Sequence, residues 1–494
     1  MQNGVLLAFI VLYLLGTLAI GWWAARRVKT TADFVVAGKN LPMFIAACAL
    51  FATWFGSETI MGASSEFISR GLLGVIEDPM GAALCLFLSG LLVARPLYKR
   101  NLYTFSDFFR LRYNRQTEIV SAIFMVPSYF SWIAAQLVAL AIILQVVSGL
   151  EKVYGVLICT LLVLGYTYVG GMWSVTITEF VQTILIIVGL LFLAFKLFLQ
   201  VGGLEPMQAA APEDFFRFWP EAEPIPILHW IAAWMTIGLG SIPQQDVFQR
   251  VMSARSERAS VNACYTSSFM YLTVAALPLL IAYCGRMLYP ELAEGDEAQM
   301  MIPHLVLEHT GLWTQILFFG ALLSAILSTC SGAMLAPATV IGENLIKPLY
   351  NDLSDKQLLR IMRLSVVAVA GVTSVMAMMR NNIYELVGES SALSLVSLFT
   401  PLLAGLYWKR STAAGAMASM VAGIVVWVIT LQLCSDHEEV ATGMGSFWEQ
   451  MAQVPPMLYG FAASIIAMVV VSLLTSHQPQ ENQWHYPEQV KEAP

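Results

Sequence analysis

The chain has 494 residues, of which 58% are hydrophobic and only 12% are charged. Soluble globular proteins carry about 25% charged residues, so this composition is typical of a protein that lies in lipid. The net charge of −7 gives no indication of nucleic-acid binding. Apolar runs of about 20 residues, the length that crosses a bilayer, recur along the chain and favour helices over a β-barrel.

These runs predict an all-α polytopic membrane protein with about 13 transmembrane helices. We place one transmembrane transporter domain at residues 1–476 and expect the polar tail, 477–494, to be disordered and cytoplasmic. In chain order, the predicted spans are roughly 4–25, 41–69, 74–97, 118–149, 153–170, 178–200, 228–249, 260–288, 313–345, 361–380, 383–407, 412–433 and 456–475.

The basic residues indicate how the chain crosses the membrane. Most of the 26 Lys and Arg residues fall in one alternating set of loops, at 26–39, 95–115, 250–258, 347–363 and 409–410. Loops rich in Lys and Arg face the cytoplasm. We therefore expect a multi-pass protein of the plasma membrane (the inner membrane of a bacterium), with its N-terminus outside and its C-terminus inside. The distribution of basic residues does not indicate an oligomeric state.

The second predicted span contains a polar stretch at the depth of the bilayer centre. Gly56, Ser57 and Glu58 interrupt the apolar run there. An ionised carboxylate at a helix centre costs about 3 kcal/mol on insertion scales, and irregular backbone at this depth must be buried in protein or line a wet cavity. Either the span breaks here, or Glu58 is a buried carboxylate with a partner in an unbroken helix.

The seventh predicted span is interrupted as well. Gly238, Gly240 and Pro243 weaken the helix, and Gln244 and Gln245 follow them. The two interrupted spans are five apart, as expected for a transporter with inverted repeats and a central site. Repeat one would cover about 41–200 and repeat two about 228–407, with one extra N-terminal helix and two extra C-terminal helices at 412–475. For Pro243 alone, an ordinary kink remains an alternative.

The ninth predicted span carries hydroxyl side chains close to one helical face, at Ser324, Ser328, Thr329 and Ser331. Such side chains usually bond back to a carbonyl or pack against a neighbour. They are also ligands that suit sodium, together with carbonyl oxygens freed by a broken helix. The chain shows no pattern of catalytic residues and no phosphate-binding loop, so an enzyme is not predicted.

At these residues the sequence resembles the sodium/solute symporter family. The stretches TYVGGMWSVTITEFVQ (167–182) and GLYWKRSTAAGAMASMVAG (405–423) are similar to two signatures of that family. The branch of high-affinity choline transporters is the most similar, through ATWFGSETIMG (52–62) and GSIPQQDVFQRVMS (240–253). The resemblance implies the five-plus-five inverted repeat of the leucine-transporter-type fold.

The resemblance also implies which residues bind the ion and the solute. The sodium ligands would be the carbonyl groups of Ala52, Phe55 and Ala325 and the hydroxyls of Ser328 and Thr329. The expected solute-binding residues are Trp54, Gly56, Ser57, Glu58, Trp132, Gln136, Gln244 and Gln245. In the choline branch, aromatic residues form a cage around the quaternary ammonium group of the solute. Trp54 and Trp132 stand at cage-like positions, but this chain has Gln244 where that branch has a Trp and Ala82 where it has a Tyr.

The predicted function is sodium-coupled import of a small polar organic solute, such as an amine or an amino acid, by alternating access. A transporter-like sensor or receptor subunit is one alternative, and coupling to protons is another. The partners would be the solute, sodium and membrane lipid, with no nucleic acid. Glu58 would pair with an amine of the solute or exchange a proton, or it would be a structural partner of a backbone amide or of an arginine such as Arg70.

Overall fold

The computed structural model describes residues 2–26, 30–100, 102–293, 295–350, 352–440, 451 and 453–475. The predicted tail, 477–494, lies outside this part of the chain. Within the described ranges the chain is helical, and the β-type contact found there is an isolated bridge between Leu41 and Ala254.

Most of the helices are long. The α-helices of eight or more residues are Gln2–Ala25, Met43–Ala52, Ala63–Arg70, Phe105–Arg112, Arg115–Ser148, Lys152–Gln200, Pro224–Gly240, Gln245–Ser253, Glu257–Val274, Ala276–Leu288, Met301–His309, Leu312–Val340, Asp355–Met379, Ile383–Ser394, Thr400–Tyr407, Ala413–Val440 and Pro456–Leu474. Wider π-helical turns connect several of them, at Glu58–Gly62, Ile76–Gly81, Ser89–Ala94, Ile341–Ile346 and Leu395–Phe399.

Nine of the described helical segments are long and apolar enough to cross a membrane, and a tenth is a bent pair of helices. Three shorter apolar stretches fall below that length. They are Gly4–Tyr13 within the first helix, Met43–Ala52, and Lys152–Gly165 at the start of Lys152–Gln200. The protein is therefore an all-helical, multi-pass membrane protein. The count of 13 spans stays a prediction.

The helix that contains Ala52 ends where the sequence places the first polar interruption. In an α-helix the N–H of Gly56 would bond to the carbonyl of Ala52. Here the N–H of Gly56 donates instead to the carbonyl of Trp54, at 2.8 Å. A π-helical turn begins at Glu58, and the regular helix resumes at Ala63. This local rearrangement frees the Ala52 carbonyl from its backbone partner.

The second interruption separates Pro224–Gly240 from Gln245–Ser253, and the two helices are bent by 49°. Pro243 lies in the connection and has no N–H to continue the helix. Gly240 ends the first helix in close contact with Ile383–Ser394. A Cβ atom at Gly240 would lie 2.3 Å from the carbonyl oxygen of Ser391, so no larger residue fits without a shift of the backbone.

The helix Leu312–Val340 is the central one of the bundle. It packs against Arg115–Ser148, Lys152–Gln200 and Gln245–Ser253. A buried ion pair fixes one side of this assembly, because Arg250 donates to the carboxylate of Glu179 and both side chains are 1% exposed. The hydroxyl of Thr329 on the central helix lies beside the broken part of the second predicted span.

Candidate functional site

The two predicted halves of the sodium site meet at a direct hydrogen bond. The hydroxyl of Thr329 donates to the carbonyl oxygen of Ala52, with 3.0 Å between the oxygen atoms. Both groups are available because the break at Gly56 releases the Ala52 carbonyl and because Thr329 is buried on the central helix, at 1% exposure. Two oxygen ligands that the sequence places 277 residues apart thus lie side by side.

The other predicted sodium ligands surround this contact on the same two segments. Ser328 precedes Thr329 and is buried, with its hydroxyl 3.5 Å from that of Thr178 on Lys152–Gln200. Ala325 lies one helical turn earlier and is also buried. The ring of Phe55 stacks on that of Phe51 at 4.4 Å between centroids, which fixes the backbone just before Gly56. Thr178 is a hydroxyl neighbour that the sequence reasoning did not include.

Glu58 is buried, at 1% exposure, and three protein donors surround its carboxylate. The indole N–H of Trp132 lies 3.2 Å from Oε1, and the amide of Gln136 lies 2.7 Å from Oε2. The hydroxyl of Ser57 is 3.2 Å from Oε2. These hydrogen bonds stabilise the ionised form of the carboxylate. Arg70, the suggested structural partner, instead forms an ion pair with Glu66, at 3.2 Å.

Glu58 lines a narrow internal cavity with room for about one water molecule. Four of the predicted solute-binding residues belong to its wall: Trp54, Glu58, Trp132 and Gln244. The wall also includes seven residues that the sequence analysis did not select for this role: Asp78, Ala82, Ile237, Ser241, Val387, Ser390 and Ser391. The cavity lies where the two broken segments meet Ile383–Ser394.

Gly56 connects the cavity with the sodium-site residues. A Cβ atom at Gly56 would lie 3.4 Å from Oε1 of Gln136 and 3.4 Å from the hydroxyl of Thr329. Gln136 donates to Glu58 through its amide nitrogen, while its buried Oε1 has no hydrogen-bond partner. One glycine therefore separates the predicted ion ligands from the carboxylate that lines the cavity.

Gln245 does not line the cavity. Its side-chain oxygen accepts from the N–H of Phe105 at 2.8 Å, and its amide donates to the carbonyl of Tyr103 at 2.9 Å. Successive residues of a helix point about 100° apart. With Gln244 directed to the cavity, Gln245 at the start of the next helix is directed to the loop before Phe105–Arg112. Its observed role is to hold that loop.

Asp78 is a functional candidate that the sequence analysis missed. It lies in the stretch IEDPMG (76–81), inside the third predicted span. A carboxylate within an apolar run is the signal that singled out Glu58, and Asp78 gives a weaker form of it because it lies near the start of its predicted span. Within the described residues no group of three His, Cys, Asp or Glu side chains could hold a metal ion.

Comparison with known proteins decides the family. The sequence model described as "Sodium:solute symporter family" matches residues 34–423, most of the chain. This chain belongs to the sodium:solute symporter family. Members of the family are transporters rather than enzymes, as the sequence predicts.

Curated relatives are similar over most of their length. The human high affinity choline transporter 1 is 27% identical over 443 residues, which cover 85% of this chain and 75% of the relative. The osmoregulated proline transporter OpuE of Bacillus subtilis is 27% identical over 489 residues, 94% of each chain. Transporters named for choline and for proline therefore share the same sequence identity with this chain.

Solved structures share the fold. A sodium-coupled sialic acid symporter in a substrate-bound, outward-open state superposes with a TM-score of 0.76 at 18% identity, over 96% of this chain and 98% of that one. MhsT in complex with L-phenylalanine superposes with a TM-score of 0.54 at 12% identity, over 87% and 98% of the chains. At these identities the likeness concerns the fold.

Proposed function

We propose that this protein is a sodium-coupled symporter that imports a small polar organic solute by alternating access. The observation that supports this most strongly is the position of Gly56. On one side of this residue the Thr329 hydroxyl meets the Ala52 carbonyl, and on the other side Gln136 holds Glu58. An ion site and a solute site that share one short unwound segment have the arrangement that coupling requires.

The proposed sodium site consists of the carbonyl groups of Ala52, Phe55 and Ala325 and the hydroxyls of Ser328 and Thr329. Sodium is a hard cation that prefers oxygen ligands. When it binds, the Thr329 hydroxyl would rotate its proton away from the Ala52 carbonyl and direct a lone pair toward the ion, and that carbonyl would become a ligand as well. This exchange would join the central helix to the broken span through the ion.

Sodium would supply the driving force. Each sodium ion that enters gains about 2.3 kcal/mol per 100 mV of membrane potential, and each tenfold concentration gradient adds about 1.4 kcal/mol. Coupling requires that each ligand raise the affinity for the other, and this effect is reciprocal. Gly56 and Gln136 provide a short path for it, because sodium would order the segment that positions Glu58.

The proposed solute site is the cavity at Glu58. Trp54 and Trp132 would contact the solute with their rings, Gln244 and Ser57 would offer polar contacts, and Glu58 would bind a cationic group. Gly56 and Gln136 would shape the floor between solute and ion. We assign Gln245 a structural role, since its side chain is bound to the backbone at Tyr103 and Phe105.

We further propose 13 spans with the N-terminus outside, in a five-plus-five inverted repeat in the plasma membrane. The three short apolar helices supply parts of spans one, two and five, and the 41-residue segment Glu58–Tyr98 contains the end of span two and all of span three. The bent pair Pro224–Gly240 and Gln245–Ser253 would be span seven, the counterpart of the broken span two.

A thermal-shift screen of the purified protein tests the function. Amines, amino acids, carboxylates and sugars are each added in sodium chloride and in potassium chloride of equal concentration. A ligand that raises the melting temperature only in sodium supports coupling. A ligand with equal effects in both salts would contradict it and favour proton coupling. A sodium-dependent ligand that is not taken up by proteoliposomes would favour the sensor alternative.

A further inference from the structure

The cavity holds a second carboxylate for which the protein supplies no counter-charge. Asp78 is 1% exposed and lines the same cavity as Glu58. Its carboxylate oxygens have no hydrogen bond of good geometry, although the hydroxyls of Thr59 and Tyr271, which are bonded to each other, lie within reach of them. These hydroxyls bring no charge. A buried carboxylate without a counter-charge is costly, so a complementary group from outside the protein is expected.

The described basic side chains do not neutralise this pair of carboxylates. No Lys, Arg or His of the described residues forms an ion pair with Glu58 or Asp78. The cation that comes from the same part of the chain, Arg70, is bound to Glu66. Glu58 and Asp78 are instead close enough to repel each other. A ligand that brings two positive charges would stabilise both carboxylates in their ionised form.

The two carboxylates differ in how the protein treats them. Glu58 has donors from Trp132, Gln136 and Ser57, which fix its orientation before any ligand binds. Asp78 has only the hydroxyls of Thr59 and Tyr271 within reach, and it lines the cavity. The first carboxylate is therefore a preorganised anchor, and the second has no counter-charge until the ligand binds.

Resting on the proposed symport function, we propose that the solute is a short aliphatic diamine, with one ammonium group at Glu58 and the other at Asp78. The chemistry of the walls suits such a molecule, for which the cavity must widen during the transport cycle. Trp54 and Trp132 offer ring faces for an ammonium group, while Ala82, Ile237 and Val387 offer apolar contacts to a methylene chain. A divalent metal ion would need six or more oxygen ligands, and this aromatic and aliphatic lining does not provide them.

A wider pocket is lined by Glu77, the chain neighbour of Asp78. Its wall also includes Glu213, Asp214 and Glu221 from the loop 201–227. Arg70, Arg217 and Arg286 belong to the wall as well, so its charge is mixed rather than purely acidic. The adjacent residues Glu77 and Asp78 thus line two different pockets, of which the wider one includes the loop that we propose to be external.

The test compares putrescine with butylamine, which has the same chain length and one ammonium group. Binding is followed by thermal shift in sodium chloride at constant ionic strength. The inference predicts that putrescine reaches half-saturation at a concentration at least about tenfold lower, since the second charged contact is made only by the diamine. In Asp78→Asn the two ligands should bind within about twofold of each other, because only putrescine loses a contact.

Glu257→Gln is the matched control, because Glu257 is an acidic residue that pairs with Arg95 outside both pockets and should leave both ligands unaffected. Equal binding of putrescine and butylamine by the unaltered protein would overturn the inference, and this comparison needs no variant to fold. An equal loss of both ligands in Asp78→Asn would overturn it as well. If an amino acid shows sodium-dependent uptake and putrescine shows none, the diamine is wrong and the symport function stands. If no solute depends on sodium, the symport function itself fails.

Discussion

The hydroxyl of Thr329 donates a hydrogen bond to the carbonyl oxygen of Ala52, across 3.0 Å and between two helices that are far apart in the chain. The carbonyl is free for this bond because the N–H of Gly56 has turned to Trp54. A broken helix thus offers an oxygen, and an intact helix offers a second one beside it. The proposed sodium site and its coupling to the cavity both depend on this contact.

The first prediction concerns the hydroxyl ligands. Ser328→Ala and Thr329→Ala should each raise the sodium concentration for half-maximal thermal stabilisation by about tenfold, since a hydrogen bond or contact to a charged partner contributes about 1.5 kcal/mol or more. The measurement is the melting temperature over a sodium titration, with potassium chloride keeping the ionic strength constant.

Ser331→Ala is the matched control for these two variants. Ser331 lies on the same helix and accepts a hydrogen bond from Thr167 at 2.7 Å, away from the break. It should change the melting temperature without sodium but leave the sodium dependence as it is. Unaltered sodium titrations in both Ser328→Ala and Thr329→Ala would refute the assigned site.

The second prediction concerns the charge of Glu58. Glu58→Gln keeps the shape of the side chain and removes its charge. Sodium-dependent binding of the solute should be lost or fall by at least about tenfold, because a buried charge pair loses one partner. The sodium-induced rise in melting temperature should largely persist, since Glu58 is not among the proposed sodium ligands.

The alternative for Glu58 is a structural role, in which the substitution would lower the melting temperature equally with and without the solute. A reduced melting temperature together with unaltered solute affinity would therefore refute the solute-binding role. Full stability and full uptake in Glu58→Gln would refute both roles. The interruption at Gly56 would then be explained by the backbone geometry alone.

The third prediction tests the close approach at the second break. A Cβ atom at Gly240 would lie 2.3 Å from the Ser391 carbonyl, so Gly240→Ala should separate the two helices and lower stability by about 1–3 kcal/mol, as overpacking does. Gly371→Ala is the control, because a Cβ atom there has no neighbour within 4 Å. It should be neutral or slightly stabilising in its helix. Equal melting temperatures for the two variants would contradict the packing.

The fourth prediction tests the orientation in the membrane. Six of the seven cysteines are buried and Cys434 is partly exposed, so Cys434→Ser provides a suitable background. Arg95→Cys and Glu221→Cys then introduce thiols where the side chains are 73% and 63% exposed. In intact cells an impermeant thiol reagent should label the cysteine at position 221 and not the one at 95. The reverse labelling would overturn the proposed orientation.

Much of the fold could be predicted because a bilayer requires apolar helices of about 20 residues and makes polar residues within them costly. The polar residues at Gly56 and Glu58 and the Gly240–Pro243 stretch favour interrupted helices over unbroken ones, and the structure interrupts the helices at these places. The family resemblance pointed to Thr329 and Ala52 together. Only the structure shows that their oxygens are in direct contact. The bond depends on the N–H of Gly56 donating to Trp54 instead of Ala52.

The remaining features of the candidate site depend on side-chain directions and packing, which the spacing of residues in the sequence does not determine. Gln245 was expected beside Gln244, but the first turn of the new helix directs it to Tyr103 and Phe105 instead. Asp78 lies near one end of its predicted span, where a carboxylate is inexpensive if it reaches water. Only the packing of its helix against Trp54, Trp132 and Ser390 shows that it is enclosed in the cavity.

The central claim is that a sodium gradient drives solute entry, and solute-induced current measures it most directly. Proteoliposomes on a solid-supported membrane receive a mixture of amines, amino acids, carboxylates and sugars, in sodium chloride or in potassium chloride. The account predicts an inward positive current in sodium alone, absent from protein-free liposomes and reduced in Thr329→Ala. Currents of equal size in sodium and potassium, or in Thr329→Ala and the unaltered protein, would contradict it.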